Sequence, residues 1–346
     1  MTLVFKPTNG LGDKLLDIVA AHVIAELRGE RVRIEYYDDG QRYAAWGSAY
    51  YDPRLFDFPF EASHPDSREG REETADEQQK RLVVWYASAS ASPPKIAEAF
   101  FQSGTDAGGL KGDGYERACA LFRDAAIRVV RPNPAFIRFP PGLAGATGVH
   151  LRQSDKVSDA PDERHMVTPG QQEDIVRALL SHAAAAMVDG GRYYICSEDR
   201  AHRDRFAAIL LQIAAMRGAR IEILEPLDEN EEMSGTRMSG YAAVRDMFYL
   251  SRCARILMGT KFSTFSVLAA IVGQVPTVNF GTQCRGSILR MYEGCFAALD
   301  CPGIASDDDD AAVAAATAAD ADTWESFVIV DPAVYDKMCA ALEELI

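Results

Sequence analysis

His150, Arg152 and Asp155, spaced two and three residues apart in the segment GVHLRQSDKV (148–157), have the chemistry to hold a diphosphate. An arginine guanidinium is a planar fork that binds two phosphate oxygens at once, and a nearby carboxylate orients that arginine or pins the loop carrying it. His150 emerges from an apolar run, where it serves either as a ligand contact or as a hydrogen-bonded structural histidine. The segment points to a nucleotide-linked substrate.

A second segment, GTKFSTFS (259–266), leads from an apolar strand into a helix and sets Ser263 and Thr264 at the helix start. Backbone N–H groups without intrahelical acceptors, together with the helix dipole, accept phosphate at such a place. Hydroxyl residues also cap helices there without any ligand, so both readings stand. NGLGD (9–13) lacks the third glycine of a dinucleotide fingerprint and the GK[ST] of a P-loop. Gly10 and Gly12 make either a tight turn or a close backbone approach to a ligand. Asp246 is either solvated or paired with Arg245 or Arg252, or else its carboxylate accepts two hydrogen bonds from the Watson–Crick edge of guanine.

These residues need elements to position them. An apolar run at 3–6, a helical pattern at 14–27 ending at Arg28-Gly29 and a second strand at 32–36 give a β-loop-α-β opening. A strand at 82–86 and a helix opening near Lys95 follow, with the charged run 63–80 read as solvated and 106–114 as flexible. After the linker-like FPPGLAGA (139–146), strands at 147–151, 192–196, 220–224, 255–258 and 276–280 alternate with helices at 169–188, 202–216, 241–253 and 264–271. This alternation predicts an α/β, doubly wound parallel sheet. The tail has an Asp/Ala-rich stretch at 306–323 and a closing helix at 331–345. Five polar motifs follow predicted strands: HLRQSD, Ser197-Glu198-Asp199, Glu225-Pro226, GTKFSTFS and the FGTQ from Phe280. In an open α/β sheet that edge is where ligands bind.

Composition bounds the ligand. A formal charge of −15 leaves no diffuse basic surface to steer nucleic acid or anionic membrane, so an anionic ligand has to be met by locally placed arginines. The apolar runs are far shorter than a bilayer span and the amino terminus reads as a strand, which predicts a cytoplasmic protein without an integral membrane segment, peripheral to a membrane only through partners. The seven cysteines show no CxxC pair and no zinc-ligand spacing, which predicts free thiols, no disulfide and no metal site. At 346 residues the chain suits two domains of about 150 residues each.

Taken in order, GVHLRQSDKV, the SED after YYIC, and RDMFYLSRCARILMGTKFSTFS resemble the three peptide motifs of the α1,6-/α1,2-/protein O-fucosyltransferase superfamily. The DKV continuation is most similar to the α1,6 branch, which includes the nodulation enzyme, and TNGLGDKLLDIVAAHVIA resembles the glycine-containing opening of those enzymes. The likeness covers roughly 1–30 and 145–285. It implies a GT-B architecture of two Rossmann-like domains facing across a cleft: 1–145 on the acceptor side, 146–330 binding the nucleotide sugar, and 331–346 as a closing helix. It also implies inverting, metal-independent transfer of fucose from GDP-fucose to a glycan or polysaccharide, with no cofactor. By resemblance Arg152 binds the β-phosphate, His150 and Asp246 the guanosine end, Ser263 and Thr264 the phosphates, and Gly10 and Gly12 the donor from the opposite domain. Asn9, Asp155, Ser197, Glu198, Asp199, Thr260 and Phe265 complete the donor-binding set. Gln153 stands where the α1,6 branch has a second arginine, and Ala160 where a glutamate is proposed as base. Asp159, Asp162 and Glu163 are the carboxylates near that place, so the catalytic set is Arg152, Asp159 and Glu163. The alternatives are a related transferase with another nucleotide sugar and a GDP- or glycan-binding protein without transfer.

Overall fold

A computed structural model of the chain describes residues 2–5, 11–29, 31–35, 53–59, 62–63, 81–84, 92–101, 112–152, 168–227, 238–259, 263–281, 288–302 and 329–330. The first sheet opens with β1 (Thr2–Phe5), helix α1 (Leu11–Arg28) and β2 (Arg31–Glu35), followed by β3 (Ala62–Ser63) and β4 (Arg81–Val84). Its order is β11-β4-β1-β2-β3, where β11 (Ile329–Val330) returns from the far end of the chain to pair antiparallel with β4. Every other described pairing in this sheet is parallel. The closing helix expected at 331–345 lies outside the described residues.

Two helices separate the sheets, α2 (Pro93–Phe101) and α3 (Asp113–Val129). The latter is a finding the sequence reading lacks. Its Tyr115, Ala118, Cys119, Phe122, Ala126 and Val129 recur at three- and four-residue spacing and are all buried, so one continuous stripe packs inward.

The second sheet is built from β5 (Thr147–Leu151), α4 (Pro169–Ala185), β6 (Gly191–Ser197), α5 (Arg200–Met216), β7 (Ile221–Leu224), α6 (Met238–Leu250), β8 (Arg255–Gly259), α7 (Thr264–Gly273), β9 (Thr277–Asn279), the short α8 (Ile288–Met291) and β10 (Leu299–Asp300). All its pairings are parallel, in the order β10-β9-β8-β5-β6-β7. The doubly wound α/β expectation therefore holds. Local chemistry fixes the boundaries: Thr168 and Gln171 form a reciprocal capping box with Pro169 as the first residue of α4, and Asp199 accepts from the Ala201 amide to start α5.

Side-chain alternation splits the second sheet between two cores. Val149, Leu151, Tyr193, Ile195 and Leu257 face α4 and α5, packing with Ile175, Leu179, Phe206 and Leu210. Tyr194, Cys196, Ile256 and Met258 face the other way, into a core shared by α6, α7, α1 and α3. That second core joins helices of both halves, so the contact between them is apolar and continuous. Each fully buried Leu, Ile or Phe side chain contributes roughly 1.5–3 kcal/mol there.

One cysteine departs from expectation. Cys301 is disulfide-bonded, whereas Cys119, Cys196, Cys253 and Cys295 are free and buried. The absence of CxxC spacing excludes only local pairs, so it leaves a disulfide at Cys301 open. No helix among the described residues is long and apolar enough to cross a membrane.

Candidate functional site

The strand order defines where a ligand has room. The chain runs from β5 outward through β6 and β7, then returns to the opposite side of β5 at β8. The crevice beyond the carboxyl ends of β5 and β8 is therefore a topological switch point, the place where open α/β sheets bind ligands. The HLR of residues 150–152 leaves β5 at this point and the GTKFSTFS segment leaves β8, with Leu151 and Gly259 directly paired. The first sheet repeats the pattern, since β2 and β4 flank β1 on opposite sides and α1 follows β1.

The two switch points meet. A Cβ added to Gly12, in the first turn of α1, would lie 2.4 Å from the Phe265 nitrogen and 2.6 Å from both the carbonyl carbon and the Oγ1 of Thr264. Two helix N-termini, each carrying a partial positive charge, are thus in contact. Like ends brought together favour an anion beside them.

Ser263 supplies the more telling detail. It occupies the N-cap position of α7 with an extended backbone, and its carbonyl accepts from the Val267 amide at 3.1 Å, but its side chain makes no capping bond. The hydroxyl is buried, the residue being 2 % exposed, and has no hydrogen-bond partner among the described residues. A buried hydroxyl without a partner costs on the order of 1–3 kcal/mol. Of the two readings left open by the sequence, the capping hydroxyl is not what the structure holds.

Around this helix start the other predicted residues assemble. His150 is buried, its Nδ1 hydrogen-bonded to the hydroxyl of Ser266 and its ring 5.0 Å from that of Phe265. Burial, and then the Arg152 charge, push its pKa down to about 3, so the ring is neutral at physiological pH. Arg152 lies just past the end of β5 and is half-buried. Thr264 is buried and Phe265 partly so.

The neutral state of His150 gives a stability prediction. An unfolded histidine protonates near pH 6.5, the folded one only near 3, so stability is fully present above 6.5 and is lost as pH falls towards 3. Between pH 7 and pH 5 this group alone removes about 2 kcal/mol. Thermal melts at the two pH values are expected to fall further for the wild type than for His150→Asn; equal falls in both proteins would remove the effect.

Asp246 is partly buried, with its side chain 18 % exposed. Its Oδ1 accepts from the Tyr194 hydroxyl at 2.7 Å and from Arg245 Nε at 3.0 Å and Nη2 at 2.9 Å. The guanidinium of Arg245, 8 % exposed in its side chain, is 5.8 and 5.9 Å from the ring centroids of Tyr241 and Tyr249. Of the partners weighed for Asp246, Arg245 is the one found.

The SED motif does local work. Ser197 Oγ accepts from the Asp199 amide at 3.2 Å, Asp199 caps α5, and Glu198 is exposed. Glu225, after β7, pairs with Arg203 at 3.2 Å. Asn9, Gly10, Asp155, Asp159, Asp162, Glu163 and Thr260 lie outside the described residues, as do Gln153 and Ala160. Three residues absent from the predicted set belong to the site: Ser266, Tyr194 and Arg245. Only alternation within YYIC hinted at Tyr194, which shares a sheet face with His150. Among the described residues no group of three His, Cys, Asp or Glu side chains is placed to hold a metal ion.

Neither a family model nor a curated protein matches the sequence. Solved structures do match. They include the α-1,6-fucosyltransferase NodZ soaked with GDP-fucose, at 15% identity over 80% of this chain and 92% of that one, TM-score 0.40. Arabidopsis thaliana FUT1 with GDP matches at 14% identity over 80% and 69%, TM-score 0.43. The iron-containing dodecameric glycosyltransferase TibC from enterotoxigenic E. coli matches at 14% over 80% and 57%, TM-score 0.32. The likeness is one of fold. At this identity it leaves the ligand to the chain's own residues.

Proposed function

We propose that the chain is an inverting, metal-independent glycosyltransferase that takes a GDP-sugar, GDP-fucose first among them, and transfers the sugar to a glycan or polysaccharide acceptor. The observation that carries this reading is the buried, unpartnered Ser263 hydroxyl at the start of α7, where α1 also points its N-terminus. A diphosphate oxygen satisfies that hydroxyl and the first-turn amides together. Arg152 adds the fork for the β-phosphate and stabilises the charge that develops on the departing GDP. Asp246 receives the base, and the resemblance of the motifs to fucosyltransferases supports fucose as the sugar.

In the transfer step an acceptor hydroxyl attacks the anomeric carbon on the face opposite the diphosphate. The new C–O bond forms as the bond to the β-phosphate oxygen breaks, and the hydroxyl proton passes to a carboxylate, Asp159 or Glu163. The pair of electrons from the broken bond leaves with GDP.

The test is nucleotide release from a panel of GDP-, UDP- and ADP-sugars by the purified protein, with and without oligosaccharide acceptors. GDP-fucose is expected to give the fastest release, with acceptor stimulating it. Turnover of UDP-sugars with no response to GDP-fucose overturns the donor assignment.

A further inference from the structure

Asp246 cannot be understood without its neighbours. To accept from the two N–H donors on the guanine edge a carboxyl has to be ionised, because a protonated one offers a donor where an acceptor is needed. Its setting opposes ionisation: burial pushes the carboxyl above its ordinary value. What opposes burial is a set of three groups from three elements. Arg245 on α6 contributes both a charge and two donors on Oδ1, Tyr194 on β6 donates its hydroxyl, and Arg203 on α5 acts from further away. Cys196 and Tyr249 also lie nearby; burial pushes both up, so neither brings a negative charge at neutral pH.

Resting on the GDP-sugar reading above, we infer that Arg245 is a positioning residue for nucleotide choice: buried beside Tyr241 and Tyr249 and bonded to Asp246 through Nε and Nη2, it keeps Asp246 charged and aimed so that guanine is selected over adenine. Arg245 acts through Asp246, to which its guanidinium is bonded. Its setting matters, because contacts through both Nε and Nη2 to Asp246 Oδ1 use the two-pronged geometry of the guanidinium, with the Tyr241 and Tyr249 rings close by. Its influence on base choice is therefore tied to pH, which a purely structural arginine would not be.

Calorimetry of GDP and ADP binding to the full chain between pH 5.5 and 8.5 tests this, for the wild type, Arg245→Gln, Arg245→Lys and Tyr194→Phe. The GDP-to-ADP affinity ratio cancels titration of the phosphates common to both ligands. In Arg245→Gln the acid-side loss of GDP preference is expected to move to higher pH, so that the ratio falls at the acid end of the range, by up to roughly tenfold for each unit of that movement, and recovers as pH rises. Arg245→Lys, which keeps the charge, should restore most of the ratio at pH 6. A wild type without preference for GDP overturns the donor reading itself. If the wild type prefers GDP, the same ratio in Arg245→Gln at every pH, or an equal loss at every pH, overturns the role of Arg245 alone. Should Arg245→Gln fail to fold, Tyr194→Phe decides: a smaller movement in the same direction supports the inference, and an unmoved profile overturns it.

Discussion

Gly12→Ala is expected to lower the stability of the protein by about 3 kcal/mol and to weaken GDP binding with it. The added methyl would meet backbone, not a flexible side-chain tip: the Phe265 nitrogen at 2.4 Å and the Thr264 carbonyl carbon at 2.6 Å. Neither atom moves without displacing the first turn of α7, and α1 cannot retreat alone because Leu15, Leu16, Val19 and Val23 on it are fully or almost fully buried. The strain therefore spreads into the apolar contact between the halves and into the helix start that carries Ser263. Gly170→Ala is the control, since a Cβ there meets nothing within 4 Å and alanine favours the helix. Thermal melting and GDP titration of the two variants provide the comparison. A Gly12→Ala protein that melts with the wild type and binds GDP equally would show that α1 and α7 are not in close contact.

The same glycine shows how far sequence carries. NGLGD reads as either a turn or a ligand approach, and nothing local chooses between them. The structure shows Gly12 pressed on a helix 252 residues away in the chain, a contact no window of sequence contains. By contrast β5 is read with its observed bounds, and α7 with its observed start, because their signals are local: an apolar run between turns, and hydroxyls before a helical stretch. The helix α3 carried an equally local signal. Its inward stripe from Tyr115 to Val129 follows directly on the glycine-rich 106–114, and reading that region as flexible hides the periodicity beside it.

The site divides along the same line. His150, Arg152, Ser263 and Thr264 are legible because the ends of adjacent parallel strands must come together. Ser266 and Arg245 are not, since the first depends on a bond across 116 residues and the second on three elements closing around one carboxylate. Ser263 is an intermediate case. Sequence places it at a helix start, but only packing shows that its hydroxyl is buried and turned away from the capping bond that the position ordinarily makes.

Arg152→Ala is expected to reduce sugar transfer on the order of 10²–10³-fold, the usual cost of removing a group that stabilises charge developing in the transition state. Position supports the assignment. Arg152 follows β5 at the switch point, two residues beyond the histidine that bonds the first turn of α7, and its charge is felt at that histidine. On the proposed reading that guanidinium binds the β-phosphate, so loss of the side chain should weaken GDP while leaving GMP, which lacks that phosphate, nearly unchanged. Arg152→Lys should recover only part of the affinity, because an ammonium is a point charge without the two-pronged geometry. Arg192→Ala, which removes an exposed pair with Glu222, controls for general loss of positive charge and should leave both ligands alone. Equal weakening of GDP and GMP would instead move Arg152 to the inner phosphate or the ribose. Unchanged binding of both would leave the anion to the helix starts and the Ser263 hydroxyl alone.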